Sequence, residues 1–259
     1  MKLLAIDIGN TTVNFGLFKK DKLAGKIKIY SKDMPHRQIP YSGFENAVIA
    51  SVVPWLTKVV SEKIKRMPGK IKVTVLDYTN IPMPLKVDFP SQVGADRIVN
   101  AFAAAEIYGC PAVVIDMGTA TTFDIVSENC EYAGGVIAPG LRMSLDSLHE
   151  KTSKLPRVEL KIPNSVVGKN TEDAINSGII FGNVGMIKEV MERIGSRKPG
   201  TGEKKAKGAR CRGIGKKPTV VLTGGYSEIF AKYFPAFEAD PDMTLKGLKI
   251  IHKKLFKNL

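Results

Sequence analysis

Cysteine is scarce in this chain, and the scarcity closes two routes at once. The 259 residues include only Cys110, Cys130 and Cys211. The number is odd and no Cys-x-x-Cys spacing occurs, so the sequence predicts neither a disulfide framework nor a zinc site and leaves free thiols. Histidine is equally sparse: His36, His149 and His252 stand apart, and none has a sequence partner for catalysis or metal ligation. No apolar run exceeds a few residues, which argues against a transmembrane span. Only four apolar residues separate Lys2 from Asp7, too few for the apolar region of a secretory signal, and the expectation is a cytoplasmic location. Acidic residues are also in deficit, 25 against 39 Lys and Arg, for a net charge of +14. More than half of that excess lies in residues 197–217, where nine Lys/Arg face the single Glu203 among five glycines and no aromatic residue. This stretch reads as a basic flexible loop. Without aromatics for base stacking, it does not favour nucleic acid as a partner.

What the chain does have is a passage that occurs twice. Residues 3–12 read LLAIDIGNTT and residues 113–122 read VVIDMGTATT, so Asp7, Gly9 and Thr12 correspond to Asp116, Gly118 and Thr121 at one constant offset. The apolar runs Leu3 to Ile6 and Ala112 to Ile115 fit strands buried on both faces. Gly9-Asn10 and Gly118-Thr119 punctuate them as tight turns, and Val13, Phe15 and Leu17 alternate with Thr12, Asn14 and Gly16 in a return strand. Glycine lets a backbone approach a ligand closely, and successive amide and hydroxyl donors at such a turn hold phosphate oxygens. A carboxylate at the strand end suits hydrated Mg2+. One such turn is more often a plain hairpin; two facing each other across a cleft point to a phosphate chain with its cation.

Further along, periodicity predicts strands at 2–8, 12–18, 23–30, 45–53 and 71–77, with a helix at 55–66 opened by Pro54. A Pro-rich link, 81–90, leads to a helix at 93–108. Strands follow at 112–116, 120–126 and 131–137, then a helix ending near 149, a long helix from Thr171 to about Ile194, and a strand at 219–222. The chain thus divides into residues 1–109 and 110–259. The helix at 93–108 opens with Gly94-Ala95-Asp96-Arg97, where free amides and the dipole favour an anion. Asp96 there either complements the dipole and pairs with Arg97, or does chemistry. Thr171 starts another helix, where a capping role suits it.

The segments DIGNTTVNFGLF, GADRIVNAFAAAEIYG, DMGTATTFD, GGVIAPG, GKNTEDAINSGIIFGNVG and LTGG together closely resemble type III pantothenate kinase over nearly the whole chain. The resemblance implies an α/β architecture, the duplicated ribonuclease H-like fold of sugar kinases, actin and Hsp70, in two mixed-sheet domains with the active cleft between them. It implies transfer of the γ-phosphate of ATP to the primary hydroxyl of pantothenate, giving 4'-phosphopantothenate, the first step of coenzyme A synthesis. It assigns Asp7, Ile8, Gly9, Asn10, Thr11, Thr12, Val13 and Asn14, with Thr119, to ATP, and Asp7 also to Mg2+ through water. Gly94, Ala95, Asp96, Arg97 and Thr171 fall to pantothenate, with Asp96 as general base and Asp116 as ligand of K+ or NH4+. A homodimer is implied, with Thr171 reaching pantothenate across its interface as one possibility.

Two features depart from the family pattern. Val87 stands where a tyrosine is expected, with Phe89 nearby, and the basic stretch is longer and more charged than expected. Another phosphotransferase of the same fold, or a non-catalytic regulator that binds nucleic acid through the basic stretch, is the alternative reading.

Overall fold

A computed structural model describes residues 2–195 and 217–256. Cys211 and the basic stretch up to Lys216 lie outside the described residues. Five strands, β1 (Lys2–Ile8), β2 (Thr12–Lys19), β3 (Lys22–Tyr30), β4 (Asn46–Ser51) and β5 (Lys72–Val75), form a sheet in the order β3-β2-β1-β4-β5. Five more, β6 (Ala112–Met117), β7 (Ala120–Val126), β8 (Tyr132–Pro139), β9 (Thr219–Thr223) and β10 (Glu238–Ala239), form a second in the order β10-β9-β6-β7-β8. Each sheet starts as an antiparallel meander of three strands and then adds two parallel ones beside its first strand. The sequence repeat is therefore the visible part of a topological one.

Among the described residues there are six α-helices: α1 (Pro54–Lys65), α2 (Ala95–Tyr108), α3 (Leu141–Glu150), α4 (Thr171–Gly195), α5 (Ser227–Ala231) and α6 (Met243–Leu255). Side chains alternate across each strand, and the alternation sorts the cores. Leu4, Ile6 and Ile8 of β1 pack with Leu56, Val60 and Ile64 of α1, while Leu3 and Ala5 face the opposite way. On β6, Val113, Ile115 and Met117 meet α4 and α5, while Ala112 and Val114 face inward. The two inward faces enclose one shared layer made of α2 and α6. The order of layers is helix, sheet, helix pair, sheet, helices.

Helix α6 has no counterpart in the sequence expectations, because Lys246, Lys249, Lys253 and Lys254 mask an apolar stripe. Met243, Leu245, Leu248 and Ile251 of that stripe are buried, and the helix packs against α2 and against β1, β2 and β4 of the first sheet. Helix α2 packs on β6 and β7 of the second. Each sheet is thus covered by a helix drawn from the far half of the chain.

The expectation of free thiols fails at two of the three positions. Cys110 and Cys130 form a disulfide with a Cα–Cα separation of 5.5 Å. The cause is strand register: β6 pairs with β7 so that Ala112 lies opposite Val126. The chain entering β6 therefore runs beside the turn leaving β7, and no spacing rule along the sequence reveals it. The Pro-rich link also gains a structural role, since Tyr132 donates its amide to Pro84 O at 2.9 Å and Lys86 returns one to Tyr132 O at 2.8 Å. It thereby pairs with the first residue of the open edge of β8.

Candidate active site

The two Asp-x-Gly turns meet. Thr11 Oγ1 and Thr119 Oγ1 are 2.9 Å apart, one hydroxyl from each half of the repeat. Each turn is closed by a backbone bond, Gly9 N to Thr12 O at 2.9 Å and Gly118 N to Ala120 O at 3.1 Å. Behind the first turn, Asp7, Asn14 and Lys28 occupy adjacent register positions on β1, β2 and β3, and Asn14 Nδ2 donates to Asp7 Oδ2 at 3.0 Å. Behind the second, Asn100 Nδ2 of α2 donates to Asp116 Oδ2 at 3.0 Å, and Thr244 Oγ1 of α6 donates to Asn100 Oδ1 at 2.7 Å. The LTGG turn closes over Asp116. Gly224 there has φ +86°, and a Cβ on it would run into the Asp116 carboxylate and the Met117 backbone, so both conformation and space require glycine.

Asp7, Asp96 and Asp116 line the cleft between the sheets, partly open to it but enclosed by both halves. Enclosure is the main cause that raises all three carboxyls. Asp7 is pushed up to about 7 by desolvation and then by the Asp96 charge, against the Asn14 hydrogen bond. Asp116 also reaches about 7, through desolvation first and then the charges of Asp96, Asp7 and Asp124. Asp96 is raised by desolvation, with the Arg97 amide and charge pulling the other way. It therefore sits within electrostatic reach of both strand-end carboxylates. Its Oδ1 accepts the Arg97 backbone N–H at 2.8 Å.

The Arg97 guanidinium turns elsewhere. Its Nε donates to Asp124 Oδ1 at 2.7 Å, and its Nη2 lies 2.7 Å from the same oxygen and 3.4 Å from Phe123 O. Asp124, fully buried on β7, also accepts Tyr132 Oη at 2.9 Å and Thr122 Oγ1 at 3.2 Å. Burial raises its carboxyl to about 6, with Arg97 and Tyr132 opposing.

This geometry has known relatives. The family model for type III pantothenate kinase matches residues 3–193. A type III pantothenate kinase of Dehalococcoides mccartyi is 38% identical, the alignment covering 97% of this chain and 97% of that protein. The chain belongs to the type III pantothenate kinase family. Among solved structures, a Baf family transcriptional activator from Campylobacter jejuni superposes with a TM-score of 0.64 at 21% identity, over 99% of this chain and 100% of that one. MreB 5 of Spiroplasma citri, bound to AMPPNP, follows at TM-score 0.52 and 11% identity, over 99% and 97%. At those identities the two structures speak for the fold alone, the actin-like duplicated fold that the family resemblance implied.

Within the family frame, the structure gathers Asp7, Asn14, Asp96, Arg97, Asp116, Thr11 and Thr119 around one cleft. Ile8 and Val13 are buried in the outer core of the first sheet, so at those positions only the backbone is left to face a nucleotide. Thr171 stands apart, in a groove of about 630 Å3 lined by Leu148, Leu155, Lys169, Ile175 and Ile179 among others, which contains none of the cleft aspartates. Capping of α4 falls to Asn170, whose Oδ1 accepts the Asp173 N–H at 2.8 Å, and not to Thr171. Val87 packs against the shared core layer and Phe89 is 65% exposed. Sequence reasoning passed over Asp124, Tyr132, Asn100 and Thr244. Asn100 could have been found one helical turn after Asp96 on the same face; the other three act across the fold and carry no local signal.

Proposed function

We propose that this protein phosphorylates the primary hydroxyl of pantothenate with ATP, forming 4'-phosphopantothenate at the start of coenzyme A synthesis in the cytoplasm. The observation that carries the reading is Asp96: a carboxylate with a raised proton affinity at a helix start, between two Asp-x-Gly turns whose own aspartates feel its charge. In the reaction a pantothenate oxygen bonds to the γ-phosphorus, the bond to the bridging oxygen breaks, and ADP leaves with that oxygen. Asp96 accepts the hydroxyl proton. Asn14 fixes Asp7, and Asn100 with Thr244 fixes Asp116, so each carboxylate is oriented before a ligand arrives. Both carboxylates lack a basic side-chain partner among the described residues and are held by one neutral donor each. This donor chemistry fits Mg2+ at Asp7 and K+ or NH4+ at Asp116. Held at Asp7 and Asp116, such cations would neutralise phosphate charge.

A homodimer is supported by α4. Gly178, Gly182 and Gly185 lie at helical spacing on one exposed face with nothing within 4 Å of their Cβ positions. Val166 and Val167, in the loop bonded to that helix, are 65% and 75% exposed. A second copy seated there would cover this face and bring a partner's surface to the Thr171 groove. Among the described residues no helix is long and apolar enough to cross a membrane.

The test is a coupled assay of ADP release with pantothenate, Mg2+ and K+, comparing the native chain with Asp96→Asn. General-base removal is expected to lower kcat by about two to four orders of magnitude with ATP binding retained. Full turnover in the variant would remove Asp96 from the chemistry, and a native chain inactive towards pantothenate would overturn the function.

A further inference from the structure

Arg97 has five N–H donors in a planar fork, and the structure spends one edge of it inside the protein. Nε and Nη2 both lie 2.7 Å from Asp124 Oδ1, and Nη2 also approaches Phe123 O. Nη1 forms no hydrogen bond among the described residues. Asp124 is itself held from two further directions, by Tyr132 Oη and Thr122 Oγ1, and the Tyr132 ring lies 5.9 Å from the Arg97 carbon Cζ. The backbone leaves space for this arrangement, because a Cβ at Gly135 would collide with Phe123 O and Arg97 Nη2. A fully buried carboxylate, a buried tyrosine and a glycine on β7 and β8 thus converge on one guanidinium at the start of α2.

We propose that Asp124 is a positioning residue for the acceptor, which acts by engaging the Nε/Nη2 edge of Arg97 so that only Nη1 is presented to the acceptor carboxylate. A side-on, two-bond grip of that carboxylate through Nε and Nη2 is then closed off, and the acid is met end-on through Nη1. The inference rests on the reading of Arg97 as a contact of pantothenate. Asp124 touches neither substrate. Its influence passes through Arg97, so it affects acceptor binding and leaves nucleotide binding alone.

A double-mutant cycle with Arg97→Ala and Asp124→Asn tests this in the intact enzyme, by steady-state kinetics in each substrate. Asp124→Asn is expected to raise KM for pantothenate about tenfold with KM for ATP unchanged. The double variant is expected to be no worse than Arg97→Ala alone. Tyr132→Phe, which keeps the ion pair but releases one of its anchors, is expected to raise the same KM about threefold and decides the matter if Asp124→Asn does not fold. An unchanged pantothenate KM in folded Asp124→Asn or Tyr132→Phe would overturn the proposal, as would additive losses in the cycle or an equal rise in KM for ATP. The native chain serves as the control for the underlying function. If it turns over no pantothenate, that reading fails and this proposal falls with it, whereas an active native chain with indifferent variants refutes the proposal alone.

Discussion

Reduction of the Cys110–Cys130 bond is expected to lower the melting temperature of the protein by several degrees. The bond joins residues 20 apart in sequence. In the chain-entropy description, closing a loop of that length removes roughly 11 cal/mol/K from the unfolded ensemble, about 3 kcal/mol at 25 °C. A single chain of this size shifts by about 2–4 °C per kcal/mol, so the loss amounts to roughly 6–12 °C. The assay is thermal unfolding by calorimetry with and without a phosphine reductant, alongside Cys110→Ser/Cys130→Ser. Thiol titration of the denatured chain fixes the redox state: of three cysteines, only Cys211 titrates when the bond is intact. The double variant should melt with the reduced protein and ignore the reductant. Three titrating thiols in the native chain would mean that the bond does not form. One thiol together with an unchanged melting temperature on reduction would refute the entropy reasoning.

Other outcomes follow from the cleft and the last helix. Asp7 and Asp116 keep their protons up to about pH 7 in the folded chain but lose them near 3.8 when unfolded, so the cation-free protein should lose stability as pH rises from about 4 to 7. Asp7→Asn should flatten that limb in a melting series, and Mg2+ with K+ should restore stability at pH 8. His252 has the opposite sign: it is buried with neither ring nitrogen bonded among the described residues, and burial lowers its pKa below 6.5. Its stability is complete above pH 6.5 and lost as pH falls through the folded value, and His252→Leu should remove that acid loss from the melting curve. Thr244→Val should raise the concentration of K+ giving half-maximal activity several-fold, because Asn100 loses the donor that orients it towards Asp116; an unchanged value would disconnect α6 from the cation. Gly224→Ala should cost about 1–3 kcal/mol through backbone strain and the clash with Asp116, and a fully active variant of native melting temperature would contradict the crowding at that turn.

Much of the fold was legible because local pattern decides local structure. Leu3 to Ile6 and Ala112 to Ile115 announced central strands, Pro54 opened α1, and the repeated Asp-x-Gly turn announced the duplicated topology. Asp96 was legible only as one of two roles; in the structure the Arg97 side chain goes to Asp124 while Asp96 accepts the Arg97 backbone N–H at the start of α2, and turnover of Asp96→Asn tests whether it also does the chemistry. The unread part consists of long-range pairings. Thr244 bonds a residue 144 positions away, Arg97 reaches 27 positions forward, and the disulfide depends on the register of β6 against β7. Such contacts follow from how sheets and helices stack, which no window along the chain contains. Helix α6 was missed for a simpler reason, since Lys246, Lys249, Lys253 and Lys254 interrupt its apolar residues along the sequence.

The exchange of α2 and α6 between the sheets has a bearing on biosynthesis. As the chain leaves the ribosome, the first sheet is complete once residue 75 is out, yet Leu3, Ala5 and Val48 on its inner face await Leu245 and Leu248. Some 170 residues must be made before that face is covered, so the earliest part of the molecule is the last to be sealed. A nascent or truncated chain lacking residues 243–255 keeps only the contact of α2 with β4 on that face and therefore offers the apolar remainder to chaperones and to other nascent chains, and the same omission removes Thr244 from the cleft.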